Sequence, residues 1–305
     1  MKHEHSHWGW MLATDFFLGG LGGGILVSGA LMELAFGAGT VSPFAFLVGA
    51  ACVAMGSLLL IMELGRPLRA LRVFVNLRST LTKGAWLMVL AIGCGLIYAS
   101  FSAPVFPWVG IAWLRVAFAA FTLVFATGVF VYPGIFLGKM QARPFWSGPG
   151  LSVLFILSAL ANGLAAQLLL GAIWPLGVSA IVPASRWILA GLVLVQAGAW
   201  LLYFFVKGQA GSQHEKDATR AALAGAGAFS FWGGAFLVGL LLPFVLYMTA
   251  SSGLWLGASA LVVFGAWVMR MFVIHSDDRT WLPGEKQFLA KVAQENADFF
   301  SAWNY

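Results

Sequence analysis

Residues 8–36 read WGWMLATDFFLGGLGGGILVSGALMELAF, an apolar run interrupted by two acids, Asp15 and Glu33. A helix needs about 20 apolar residues to cross about 30 Å of hydrocarbon, and this run is long enough. Asp15 and Glu33 are 18 residues apart, which is five turns at about 3.6 residues per turn, so both lie on one helix face. Gly19, Gly22, Leu26 and Gly29 fall near the same line. A small, polar face of this kind is expected to meet protein or a cavity and not lipid. The glycines are expected to allow close helix packing of the small-xxx-small kind.

The rest of the 305-residue chain follows the same pattern. It is 61% hydrophobic and only 9% charged, with mean hydropathy +0.90. Soluble domains carry about 25% charged residues, so the main solvent here is lipid. Further spans are expected over 43–64, 84–101, 108–137, 150–176, 187–206, 221–250 and 254–274. That makes an all-α integral membrane protein of eight transmembrane helices over 1–274, arranged as two four-helix bundles. Residues 275–305 form a charged, amphipathic C-terminal tail. The leading MKHEHSHWGW lacks the features of a cleavable signal, so the first helix is expected to be retained.

Several classes of chemistry are excluded. The two cysteines, Cys52 and Cys94, are too few for an iron–sulfur cluster, which normally takes four thiolates. His3, His5, His7, His214 and His275 all lie away from the middle of a span, where a membrane cytochrome would need its axial ligands. There is no phosphate-binding loop, zinc-type cluster or nucleophilic triad, and no basic stretch suited to nucleic acid. Neither haem nor any other metal site is expected in this protein.

An even number of spans puts both termini on one side, called side A. Arg115 and Arg186 fall on the opposite side B, and the other 15 of the 17 basic residues fall on side A. By the positive-inside rule side A is cytoplasmic, with both termini inside, and the membrane is expected to be a bacterial or archaeal cytoplasmic one.

The remaining polar residues are candidates for chemistry because ionisable groups within a span are costly. Glu63 ends the second span, and Gly65, Arg66 and Pro67 follow it. A carboxylate there opposes the helix dipole and needs compensation, for which Arg66 is the nearest candidate. Glu63 is either an interfacial salt-bridge partner or a proton-accepting acid. Tyr132, just before Pro133 and Gly134, lies at nearly the depth of Asp15, measured from side A. Asn162, Gln167 and Gln196 are mid-membrane amides, read as interhelical hydrogen-bond formers or, with Glu33, as part of a proton path. Arg115 and Arg186 either extend to the side B surface or pair with Glu33.

Four segments, FFLGGLGGG (16–24), ELGRPLRALRV (63–73) with LTKGAW (81–86), YPGIFLGKMQARPFW (132–146) and LFILSALANG (154–163), resemble the NrfD/polysulfide-reductase membrane-subunit family. The similarity to the dimethyl sulfoxide reductase anchor subunit is more distant. The resemblance implies a site for menaquinone or another quinone near side A, with Asp15, Glu63 and Tyr132 around the headgroup and Arg66 beside it. It also implies a ferredoxin-like iron–sulfur subunit and, through it, a molybdopterin-type catalytic subunit. Arg69, Arg72, Arg78, Lys139 and Arg143 would provide the docking face. Relatives often pair with exported catalytic subunits, whereas the charge count puts this face inside. Electrons would pass between the quinone pool and the extrinsic subunit. A proton-translocating module and a secondary transporter are the alternatives.

Overall fold

A computed structural model describes residues 9–63, 74, 76, 78–140, 143–173, 182–225, 227–249, 251–276 and 291. The protein forms α1 (Trp10–Phe36), α2 (Pro43–Glu63), α3 (Thr80–Ser100), α4 (Ala112–Gly138), α5 (Gly150–Ile173), α6 (Val182–Gln209), α7 (Gln213–Ala224), α8 (Ser230–Tyr247) and α9 (Ser252–His275). All except α7 are long and apolar enough to cross a membrane, and no strand occurs among the described residues. The protein is an all-helical integral membrane protein with eight candidate spans.

α1 is the central helix and packs against α2, α4, α5 and α9. Its glycines make this possible. A Cβ on Gly22 would lie 2.5 Å from the Gly49 carbonyl oxygen of α2, and one on Gly23 would lie 3.0 Å from the Ala126 oxygen of α4. The closest approach is to α5, where a Cβ on Gly163 would lie 2.0 Å from the carbonyl carbon of Gly24. Helices α2, α3 and α4 complete one neighbourhood around α1. In the other, α6 and α9 pack on α5 and α8 packs on α6 and α9, and the α1–α5 contact joins the two.

The stretch read from sequence as one span over 221–250 is two elements. Ser212 caps α7 through a capping box: its hydroxyl accepts from the Glu215 N–H at 3.3 Å, and Glu215 Oε2 accepts from the Ser212 N–H at 2.8 Å. α7 is amphipathic and packs on α6. Lys207, assigned from sequence to a loop, instead lies buried in the last turn of α6. It donates to the Pro144 carbonyl at 3.0 Å and the Ser147 carbonyl at 2.6 Å, and pairs with Glu215. Partial burial works against the Glu215 carboxylate, but the Lys207 ammonium, the Ser212 N–H and the Ser147 hydroxyl outweigh it and hold its pKa down at about 2.

α8 begins as a π-helix over Ser230–Leu241 and continues as an α-helix over Leu242–Tyr247. Pro243 lacks an N–H, and its ring would crowd the carbonyl of Gly239 in a regular α-helix; the wider winding just before it relieves that conflict. Gly239 also meets Gly265 of α9, with a Cβ there falling 2.6 Å from the Gly265 Cα.

The α1–α5 contact leaves no room for a side chain. A Gly163→Val variant should lose the monodisperse, folded protein in detergent, because overpacking of a closed core costs about 1–3 kcal/mol or more. Gly93→Val, at a helix position with nothing within 4 Å, should behave as wild type. Equal size-exclusion profiles and melting curves for both variants would contradict the packing described.

Candidate functional site

Asp15 lies about 8 Å along α1 from its first residue at about 1.5 Å per residue. It is fully buried, and neither carboxylate oxygen has a hydrogen-bond partner. Gly56 of α2 makes room for it: a Cβ there would lie 2.9 Å from Asp15 Oδ1. Sequence reading could place Asp15 on the protein-facing side of α1. It could not show that the acid lacks a partner, because that depends on what α2 presents.

Glu63 is the last residue of α2 and is half-buried. Its carboxylate accepts from the backbone N–H of Gly9, while Oε2 is buried without a partner. Arg66, its expected compensating charge, lies outside the described residues, as do Arg69 and Arg72. Tyr132 lies about 9 Å before the end of α4 at about 1.5 Å per residue. Its ring fills the space left by Gly84 of α3, where a Cβ would fall 2.6 Å from it. Asp15 is within electrostatic reach of both Glu63 and Tyr132. The three polar groups lie near the side A ends of α1, α2 and α4, and α1 packs against both of the other helices.

The corresponding end of the other neighbourhood is filled with aromatic rings. Phe145, Trp200, Tyr203, Phe204, Phe231 and Phe272 pack edge-to-face or tilted, and Trp200 stacks on Phe204, with centroids 4.8–6.2 Å apart. The polar trio thus sits on one side of the molecule only.

Glu33 is held quite differently from Asp15. It accepts from the N–H groups of Gly39 at 3.0 Å and Val41 at 2.8 Å, and from the Tyr98 hydroxyl at 2.5 Å. It also pairs with Arg115 at 3.4 Å. Gly37 and Gly39 adopt φ of 97° and 85°, which lets the loop curl back onto the carboxylate. Glu33 therefore ties the α1–α2 loop to α3 and α4. The pairing of Arg115 with Glu33 was one of the sequence alternatives; Tyr98 gave no sequence signal beyond its position in a span. Arg186 lies over the rings of Trp187 and Trp255 and donates to the Thr249 carbonyl at 2.9 Å.

The mid-membrane amides divide. Gln167 donates to the Ile25 carbonyl of α1 at 3.0 Å, and Gln196 faces the Met269 sulfur of α9 at 3.7 Å. Asn162 is fully buried, and neither end of its amide has a protein partner. Arg270, counted from sequence among the side A charges, is instead fully buried in α9. It donates to Ser158 at 2.5 Å and lies so close to Gly20 that a Cβ there would fall 2.7 Å from Nη2.

Of the expected docking residues, Arg78 and Lys139 are exposed at the side A ends of α3 and α4, where Lys139 donates to Thr80 at 3.2 Å. Arg143 lies over the Trp146 ring at 4.4 Å. No group of three or more metal-ligating side chains occurs among the described residues.

Comparison with known proteins agrees with the motifs. The family model described as Polysulphide reductase, NrfD matches residues 1–277. The sequence is 29% identical over 303 residues to the C subunit of the polysulfide reductase of Wolinella succinogenes, an alignment that covers 88% of the present protein and 93% of that one.

The opposite treatment of the two acids on α1 can be tested by stability. Glu33→Leu leaves the Gly39 and Val41 N–H groups and the Tyr98 hydroxyl without their acceptor and should lower stability by about 1–3 kcal/mol or more, the cost of leaving a buried polar group unbonded. Asp15→Asn removes no hydrogen bond and should leave the detergent melting midpoint nearly unchanged. A melting midpoint that falls for Asp15→Asn and holds for Glu33→Leu would reverse the assignment.

Proposed function

The protein belongs to the NrfD, Polysulphide reductase, family, and on that premise we propose that it is the quinone-reactive membrane subunit of a multi-subunit respiratory oxidoreductase. The observation that carries this reading is Asp15, a fully buried acid with two unpartnered oxygens that shares its surroundings with Glu63 and Tyr132. An acid held dry and unbonded is costly in a membrane protein and by default marks function.

The donor set fits a quinone headgroup. Two carboxyl groups and a phenol offer hydrogen-bond donors and acceptors to a pair of carbonyl or hydroxyl oxygens, and the orphaned Asp15 and Glu63 oxygens lack other protein partners. When bound, menaquinone or another quinone supplies two-electron, two-proton redox chemistry. The protein's own part is to orient and to move protons. Tyr132, its ring fixed against Gly84, holds its hydroxyl in place as a donor. Asp15 takes or gives a proton at a carboxyl oxygen shielded from water. Glu63, half-buried at the helix end, passes that proton towards side A.

Electrons exchange with an extrinsic ferredoxin-like iron–sulfur subunit and, through it, a molybdopterin-type catalytic subunit. The exposed cations Arg78 and Lys139 lie at the ends of helices next to the site and suit an acidic partner surface. The side A charge excess supports a cytoplasmic position for this face and for the termini.

Glu63→Gln keeps the shape and removes the titratable proton. In membranes containing the assembled complex, quinol-linked turnover should fall by about 10²-fold or more, the typical contribution of a positioned acid or base. The extrinsic subunits should still co-purify, and turnover with a soluble electron donor that bypasses quinol should persist. Unchanged quinol-linked turnover would remove Glu63 from proton transfer.

A further inference from the structure

Between α5, α6, α8 and α9 lies a small enclosed cavity, away from Asp15, Glu63 and Tyr132. Asn162, Gln196, Trp200 and Met269 line it, and its volume is about 10 Å³ as measured by the centres of a water-sized sphere. That is about the space one water molecule requires. Two of its polar side chains lack protein partners. Asn162 is fully buried with both amide atoms unbonded, and Trp200 is fully buried with Nε1 unbonded. Gln196 Nε2 makes a long contact to the Met269 sulfur, at 3.7 Å.

These groups form a complementary set. The Trp200 N–H and the Asn162 amide N–H are donors, and the Asn162 carbonyl is an acceptor. Leaving all of them unbonded in a dry interior would cost about 1–3 kcal/mol for each group. Apolar cavities remain dry, but a cavity with two to four polar partners holds water.

We propose that this cavity is a binding site for an internal water molecule, which accepts from Trp200 and donates to Asn162 and so bridges α5 to α6. Asn162 joins helices, as its position in the middle of a span suggests, through this water and not by a direct bond. The site is independent of the quinone reading, since none of its residues belongs to that group.

Radiolytic hydroxyl footprinting tests it, because radicals formed from a bound water label the side chains beside it even where bulk solvent does not reach. The whole protein is irradiated in nanodiscs and labelling is read by mass spectrometry. Trp200 and Met269 should label rapidly although they are 0% and 1% exposed. Trp146, equally buried but with its N–H donated to the Val273 carbonyl at 2.8 Å, is the internal control. Asn162→Leu should reduce the Trp200 and Met269 rates to that of Trp146. If that variant does not fold, Trp200→Phe, which removes the water's other partner, takes its place and should reduce the Met269 rate to that of Trp146. Wild-type Trp200 and Met269 labelling no faster than Trp146 would overturn the proposal. So would undiminished labelling in a folded variant.

Discussion

The structure depends on how closely other backbones can approach α1. At Gly22, Gly23 and Gly24 this helix has no side chains, and α2, α4 and α5 come within contact of its main chain. In lipid there is little hydrophobic drive for helices to associate, so close packing of this sort supplies much of the attraction. It also makes the interior dry. Any polar group that α1 carries must then find a partner within the protein or remain without one.

The two acids of α1 show both outcomes. Glu33 is surrounded by donors from a loop, α3 and α4, and serves as a structural anchor. Asp15 receives no hydrogen bond, and its neighbours within reach are another acid and a phenol. One helix and one solvent surround both, so the contrast comes from what neighbouring helices present. The side A end of the second neighbourhood, filled by interlocking aromatic rings, makes the same point from the other direction. Near that surface the acid–phenol group belongs to the first neighbourhood, and in the second the aromatic rings pack beside the Lys207–Glu215 pair.

Much of this was legible in the sequence. Apolar runs and charge asymmetry were enough for the class and the number of spans, because lipid imposes a length and a polarity that few alternatives satisfy. The family motifs find physical reasons in the structure. The glycine of LTKGAW, Gly84, seats the Tyr132 ring; the glycine of LFILSALANG, Gly163, meets Gly24; and Trp146 of the ARPFW segment reaches across to Val273. What composition could not reveal was depth near helix ends and partnership across helices. Arg270 was counted with the side A charges and Lys207 with a loop because each lies within a few residues of a span's end, yet both are buried. The capping box at Ser212 was written in the sequence as S-x-x-E, but the apolar residues that follow it masked the break between α7 and α8. Tyr98 offered no local pattern at all, since its role exists only through Glu33.

The central claim is that Asp15, Glu63 and Tyr132 surround a quinone headgroup. Photolabelling of the membrane-embedded complex with an azido-quinone, followed by mapping of the modified peptides, tests it most directly. The account predicts labels on the α1 segment around Asp15 and the α4 segment around Tyr132, displaced by excess unlabelled quinone. Displaceable labelling confined to the second neighbourhood, on α6, α8 or α9, would contradict it.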